Sequence, residues 1–127
     1  MQKRLDVIEK AEEFALADRL QRLFIFQKHL QNRLYGIELP EERPELLPVQ
    51  ITAVVGELGE ILTNDSRWKP WKNQHKEFDR ILQLEEVVDL LHFIINIFLM
   101  CGFDADEIYV KFLEKNQINH ERQESGY

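Results

Sequence analysis

The chain has 127 residues, enough for one domain with a hydrophobic core and too few for two ordinary domains, so we predict a single domain over residues 1–127. Its net charge of −7 argues against a long nucleic acid as partner, because that binding needs a basic surface. The single cysteine, Cys101, excludes an intramolecular disulfide and a cysteine-rich zinc site.

Neither a signal peptide nor a membrane span is predicted. The N-terminal sequence MQKRLDVIEK lacks a long apolar run, and the apolar stretch 90–101 is shorter than the about 20 residues that cross a bilayer. We therefore predict a soluble, cytoplasmic protein without a membrane partner.

The first predicted element is a long helix over residues 5–35, which Gly36 can close. Its apolar residues recur at helical spacing: Leu16, Leu20, Leu23, Phe24, Leu30 and Leu34. Gln27 and Gln31 interrupt this apolar face. A glutamine there either pairs with another helix or binds the hydrogen-bonding edge of a ligand, and the sequence leaves both interpretations open.

Residues 37–48 are predicted to form an ordered connection, because the prolines at positions 40, 44 and 48 preclude a regular element. A second helix follows over residues 49–63, and Glu57 and Glu60 lie opposite its apolar stripe. A glycine inside a helix costs roughly 1 kcal/mol relative to alanine. Gly56 and Gly59 therefore indicate that a neighbouring helix or a ligand approaches this backbone closely.

Residues 64–80 form a polar, basic loop that contains Trp68 and Trp71 on either side of Pro70. The two indoles can pack the loop onto the helices. Alternatively, they can close over an aromatic ligand while the neighbouring lysines meet its anionic part.

The most informative element is a predicted helix over residues 84–100, which is apolar on nearly every side. Glu85, Glu86, Asp89, His92 and Asn96 share one band of its surface. Carboxylates on a buried helix cost several kcal/mol each unless they are paired with cations or a metal. We therefore expect this helix to be central and a cation to lie beside it.

A last helix is predicted from a cap at Asp104 or Asp106 to about Glu124. Lys115, Asn119 and Arg122 share one of its faces, which is either a solvated face or a phosphate-binding surface. No strand pattern or repeat is present, so the predicted fold class is all-α.

The two acidic pairs, Glu57-x-x-Glu60 and Glu86-x-x-Asp89, carry the chemistry. Each spacing places both carboxylates on one helix face, so two antiparallel helices can direct all four to a common point. All-oxygen ligation favours Mg²⁺, with Mn²⁺ as a substitute, and Mg²⁺ commonly completes its octahedron with substrate phosphates. A di-iron site is the weaker alternative, since it uses E-x-x-H twice and only Asp89 and His92 resemble that pattern; we interpret His92 as a core or supporting histidine.

With these residues in place, the chain resembles the dimeric all-α dUTPases of the MazG-like nucleoside triphosphate pyrophosphatase superfamily. The resemblance lies in ELGE at 57–60, WKPW at 68–71, EEVVDLLHF at 85–93 and the tail KNQINHERQESGY at 115–127. Gly56 stands where the plain MazG signature has its first glutamate, which fits the dUTPase branch. The resemblance implies a helical bundle of four to five helices per protomer, assembled as a homodimer with a site built partly across the interface.

The resemblance also implies residue roles. Glu57, Glu60, Glu86 and Asp89 match the Mg²⁺ ligands, and Glu60 would also orient or deprotonate the attacking water. Lys115, Arg122 and Tyr127 match the phosphate contacts. Gln27, Trp71 and Asn119 match residues around the base and sugar.

These roles predict hydrolysis of dUTP, and of dUDP as a further substrate, to dUMP with release of pyrophosphate from dUTP. One alternative is a MazG-like pyrophosphatase that acts on another nucleotide, such as dCTP or a damaged triphosphate. A second alternative is a dimeric helical interaction module without catalysis, whose carboxylates bind a structural ion.

Overall fold

The computed structural model describes residues 16–126, which form four helices and the connections between them. The helices are α1 (Arg19–Tyr35), α2 (Leu47–Asn64), α3 (Arg80–Met100) and α4 (Ala105–Glu124), and single turns of 3-10 helix occur at Pro40–Glu42, Pro44–Leu46 and Ser66–Trp68. No strand occurs within residues 16–126. The predicted all-α class is confirmed, and positions 5–15 of the predicted first helix lie outside the described residues.

The chain divides into two compact units. One unit is Leu39–Cys101 and contains α2 and α3. The other combines the segments on either side, where α1 and α4 contact each other and Gln21 Nε2 donates to Asp106 Oδ1 at 3.0 Å. The single domain expected over residues 1–127 stays a prediction.

Side-chain caps determine where the helices begin. Asp18 and Asp104 each accept from the backbone of the third residue of their helix, and that residue's side chain accepts from the cap backbone in return. Asp79 Oδ1 accepts from the backbone N–H groups of Ile81 and Leu82 at 3.0 Å each. This cap starts α3 at Arg80, one turn before the predicted start at Leu84, because the cap precedes the apolar run from which the start was predicted.

In the unit that contains them, α2 and α3 run antiparallel and pack along their length. The beginning of α2 meets the end of α3 where Asn96 Nδ2 donates to Gln50 Oε1 at 2.8 Å. The end of α2 meets the beginning of α3 where Asn64 Nδ2 donates to Gln83 Oε1 at 2.9 Å. The acidic pairs of both helices lie between these two contacts along the chain.

Both helices also carry large apolar side chains that remain exposed. On α3, Ile81 is 72% and Leu84 is 63% exposed, and on α2 Val55 is 64% exposed. The described part of one chain therefore leaves apolar surface of both helices uncovered. Full burial of an apolar side chain of this size contributes about 1.5–3 kcal/mol, so burial against another molecule would recover part of that amount at each position.

The segment Pro44–Asn64 is long and apolar enough to cross a bilayer, judged by length and composition alone, and only 6% of its most apolar window is buried. It includes Glu57 and Glu60, however, and ionised side chains are costly in hydrocarbon. The prediction of no membrane partner stays a prediction.

Candidate metal centre

Three carboxylates converge where α2 passes α3. Glu57, Glu86 and Asp89 each offer one oxygen, and these three oxygens lie within 4.8 Å of one another. The i, i+3 spacing of Glu86 and Asp89 places them one turn apart on the same face of α3, and the antiparallel seam brings Glu57 opposite them. Three members of the predicted ligand set therefore meet within one unit of the chain.

The electrostatics of this cluster fit a bound cation. Glu57 Oε2 is buried and has no hydrogen-bond partner among the described residues. Partial burial raises the pKa of Glu86, and the negative charges of Glu60, Glu57 and Asp89, together with a side-chain hydrogen bond to Glu57, raise it further. A divalent cation would provide a partner for Glu57 Oε2 and offset this repulsion, and an all-oxygen set of this kind fits Mg²⁺ or Mn²⁺.

Glu60 occupies a different position from the other three. It is exposed and lies outside the group whose oxygens converge, although its charge acts on Glu86. Glu60 therefore lies at the edge of the cluster, where its carboxylate is open to solvent and close enough to affect the charge of Glu86.

His92 is exposed on α3, so it is not a core histidine of the described chain, and its interpretation as a supporting histidine stays a prediction. The converging group contains only carboxylates, which favours the Mg²⁺ interpretation over the di-iron alternative.

The raised pKa of Glu86 predicts how the metal-free protein responds to pH. A carboxyl group whose pKa is raised by folding binds more protons in the folded state, so its contribution to stability falls as pH rises through the raised value. We expect the melting temperature in EDTA to increase as pH is lowered from about 7 toward 5, and Glu86→Gln to weaken this increase. If the melting temperatures of wild type and Glu86→Gln depend on pH equally, Glu86 is not the source of this pH dependence.

The basic loop is anchored at its start by side-chain contacts. Hydrogen bonds from Arg67 lower the pKa of Asp65 to about 2, and Arg67 Nη2 lies 2.6 Å from Asp65 Oδ2. Trp68 Nε1 donates to the carbonyl of Leu62 at 3.1 Å, which ties the loop to the last turn of α2.

Trp71 is the more available of the two indoles. Its ring meets Trp68 edge to face at 5.8 Å between centroids, and Trp71 is 70% exposed compared with 48% for Trp68. Lys69 Nζ lies 4.9 Å from the Trp68 ring centroid. Trp68 therefore packs the loop, while Trp71 retains an open face for an aromatic ligand.

The other predicted site residues lie in the unit that contains α1 and α4. Gln27 is buried, at 4% exposure, whereas Lys115, Asn119 and Arg122 lie exposed along α4. Tyr127 lies outside the described residues. Gln31 is 1% exposed, and both polar atoms of its amide lack a partner among the described residues, which leaves open its interpretation as a ligand contact.

The polar pairs beside the carboxylates were not predicted from the sequence. Gln50 and Asn64 lie two turns before Glu57 and two turns after it, on the same face of α2. That regular spacing is the signal that could have identified them, but a single glutamine or asparagine on a helix is usually solvated.

Comparison with known proteins gives three findings. A family model described as dUTPase matches residues 19–101 and 94–127. The dCTP pyrophosphatase of Enterobacteria phage T4 is 33% identical over 101 residues, which are 68% of this chain and 59% of the phage protein, so the chain spans less than two thirds of that relative. The dCTP pyrophosphatase of Enterobacteria phage LZ5 is 27% identical over 144 residues, covering 87% of this chain and 83% of the relative. No solved structure matches.

Proposed function

The chain belongs to the dUTPase family, and from that membership we propose that it is an Mg²⁺-dependent nucleotide pyrophosphatase acting on a pyrimidine deoxynucleoside triphosphate. The observation that carries the proposal is the convergence of Glu57, Glu86 and Asp89, with a buried carboxylate oxygen that lacks a partner. A carboxylate oxygen buried without a partner is costly, and a cation bound by the three carboxylates would provide that partner.

The chemistry assigned to the protein's own residues is simple. Glu57, Glu86 and Asp89 hold the cation, which when bound offsets the charge of the triphosphate and makes a water easier to deprotonate. Glu60, at the edge of the cluster, orients the attacking water and accepts its proton. Attack on a phosphoryl centre breaks the anhydride bond, so that the monophosphate and pyrophosphate are formed.

Lys115, Arg122 and Tyr127 are proposed to bind the phosphates, and their support is the family resemblance. Lys115 and Arg122 are exposed on α4, as residues that meet a ligand from solvent need to be. A positively charged side chain that contacts the leaving pyrophosphate stabilises the negative charge that develops on the pyrophosphate.

The base is either uracil or cytosine. The family description supports dUTP, whereas the names of the two phage relatives support dCTP, and each candidate rests on its own comparison. Gln27 and Asn119 are the proposed base and sugar contacts, and Trp71 the residue that stacks on the base. An amide presents both a donor and an acceptor and can rotate to exchange them, so these side chains are compatible with either pyrimidine.

The experiment that tests the proposal measures pyrophosphate release from dUTP, dCTP, dTTP, dATP and dGTP at equal concentration with Mg²⁺, and identifies the products. We expect one of the first two nucleotides to be hydrolysed fastest, because a site that hydrogen-bonds one base leaves polar groups unpaired against another. Release from none of the five would contradict the proposal and favour the non-catalytic interaction module.

We also propose a homodimer, because a second copy of the chain would bury the exposed apolar faces of α2 and α3. The close approach expected at Gly56 and Gly59 is not made by the described residues, since no atom lies within 4 Å of a Cβ at either position, and a partner protomer would have room to make it. Light scattering at micromolar concentration is expected to give about twice the chain mass of 15.2 kDa. A stable species at 15.2 kDa would contradict the dimer.

A further inference from the structure

Two pairs of neutral amides flank the carboxylates in the seam between α2 and α3. At one end, Asn96 Nδ2 donates to Gln50 Oε1 at 2.8 Å, and these residues are 5% and 1% exposed. At the other end, Asn64 Nδ2 donates to Gln83 Oε1 at 2.9 Å and to the carbonyl of Asp79 at 3.0 Å. We call Gln50–Asn96 and Asn64–Gln83 the amide pairs.

The amide pairs follow the same register as the carboxylates. On α2, Gln50 and Asn64 lie about two turns on either side of Glu57. On α3, Asn96 lies about two turns after Asp89, and Gln83 lies one turn before Glu86. One antiparallel alignment of the two helices therefore brings together both amide pairs and the acidic cluster between them.

The cluster itself opposes that alignment. Glu57, Glu86 and Asp89 bring like charges within 4.8 Å, and the charge of Glu60 adds to the repulsion at Glu86. Apolar side chains alone favour one register of the two helices only weakly, because the hydrophobic effect has little directionality. A buried amide hydrogen bond does resist it, since a shifted helix leaves the donor and the acceptor buried without partners.

We propose that the amide pairs are positioning residues for the metal centre, which hold α2 and α3 in the one register that directs Glu57, Glu86 and Asp89 to a common point before the cation binds. This inference rests on the proposed function, because it takes the carboxylate cluster as a cation site. Neutral amides suit the role, since a lysine or arginine in the seam would pair with the carboxylates and compete with the cation.

The test replaces an amide pair by apolar residues and measures metal binding directly. The double variant Gln50→Leu, Asn96→Leu removes both members of the amide pair together, so neither amide is left buried without the other, and its metal-free melting temperature shows whether it still folds. Binding of Mn²⁺, measured by electron paramagnetic resonance without nucleotide, should weaken by about 10- to 100-fold, as when groups that orient metal ligands are removed. The exchanged variant Gln50→Asn, Asn96→Gln keeps an amide pair of the same total length and should restore binding.

Each outcome is informative. A folded apolar variant that binds Mn²⁺ as tightly as wild type would overturn the positioning role and leave the proposed function intact. Absence of Mn²⁺ binding by the wild-type protein would overturn the metal centre and this inference with it. If the Gln50→Leu, Asn96→Leu protein fails to fold, the double variant Asn64→Leu, Gln83→Leu tests the other end of the seam. Its Mn²⁺ binding should weaken by the same factor, and wild-type binding by this variant would likewise overturn the positioning role.

Discussion

Glu60→Gln is expected to reduce pyrophosphate release by about 10²- to 10⁴-fold, the loss that accompanies removal of a general base. Glu60 is exposed and lies outside the three converging carboxylates, so its loss should leave much of the cation binding in place. Its charge also contributes to the raised pKa of Glu86, and removing it relieves repulsion. The metal-free melting temperature should therefore stay the same or rise.

Two further variants make this result specific. Glu57→Gln removes a member of the converging group, and it should lose Mn²⁺ binding and activity together. Glu85→Gln makes the same charge change at an exposed neighbour of Glu86 and should have little effect on either measurement. A Glu60→Gln protein that melts earlier without metal but retains activity would show that Glu60 is structural and that the proton acceptor lies elsewhere.

Lys115→Gln is expected to lower the rate by about 10- to 100-fold, which corresponds to the loss of one hydrogen bond to a charged group. Lys115 is exposed, so its removal should change the stability little. A loss of rate would therefore come from the phosphate-binding role proposed for α4. Steady-state kinetics with the preferred nucleotide, together with thermal melting, measure both quantities.

The matched control is Lys111→Gln, one turn earlier on the same helix. Lys111 Nζ already bonds Glu114 Oε2 at 2.6 Å in an exposed i, i+3 pair, and such pairs contribute little. If the two substitutions change the rate equally and only slightly, this face of α4 is solvated and does not bind phosphate. Phosphate binding would then be assigned to the lysines of the basic loop, Lys69, Lys72 and Lys76.

Most of the fold could be predicted from the sequence, because amphipathic periodicity and capping residues act locally. The last helix begins after Asp104, which was one of two predicted caps, and α1 closes at Gly36 with φ of 66° as expected. The start of α3 was placed late because its cap, Asp79, stands before a turn that is only partly apolar. Helix boundaries of this kind depend on a single side chain rather than on a pattern.

The acidic spacing also predicted which residues of α3 share the site. It could not tell which of Glu57 and Glu60 points into the seam, because both lie on one face and the rotation of α2 is set by its packing against α3. The amide pairs determine that rotation through contacts between residues far apart in sequence, such as Gln50 with Asn96. No local pattern reveals such a contact in a single sequence.

The choice between uracil and cytosine lies beyond both the sequence pattern and the fold. The residues assigned to the base carry amides and an indole, and these groups match the shape and edge of either pyrimidine. Discrimination depends on which way an amide is held, and that is decided by its own hydrogen-bond partners.

The most direct measurement is pyrophosphate release from dUTP and dCTP by the wild-type protein and by Glu57→Gln, each with Mg²⁺ and with EDTA. If the cluster in the α2–α3 seam is the catalytic metal centre, wild type with Mg²⁺ releases pyrophosphate, and both EDTA and Glu57→Gln abolish the release. Undiminished release in EDTA, or by a folded Glu57→Gln protein, would contradict that assignment.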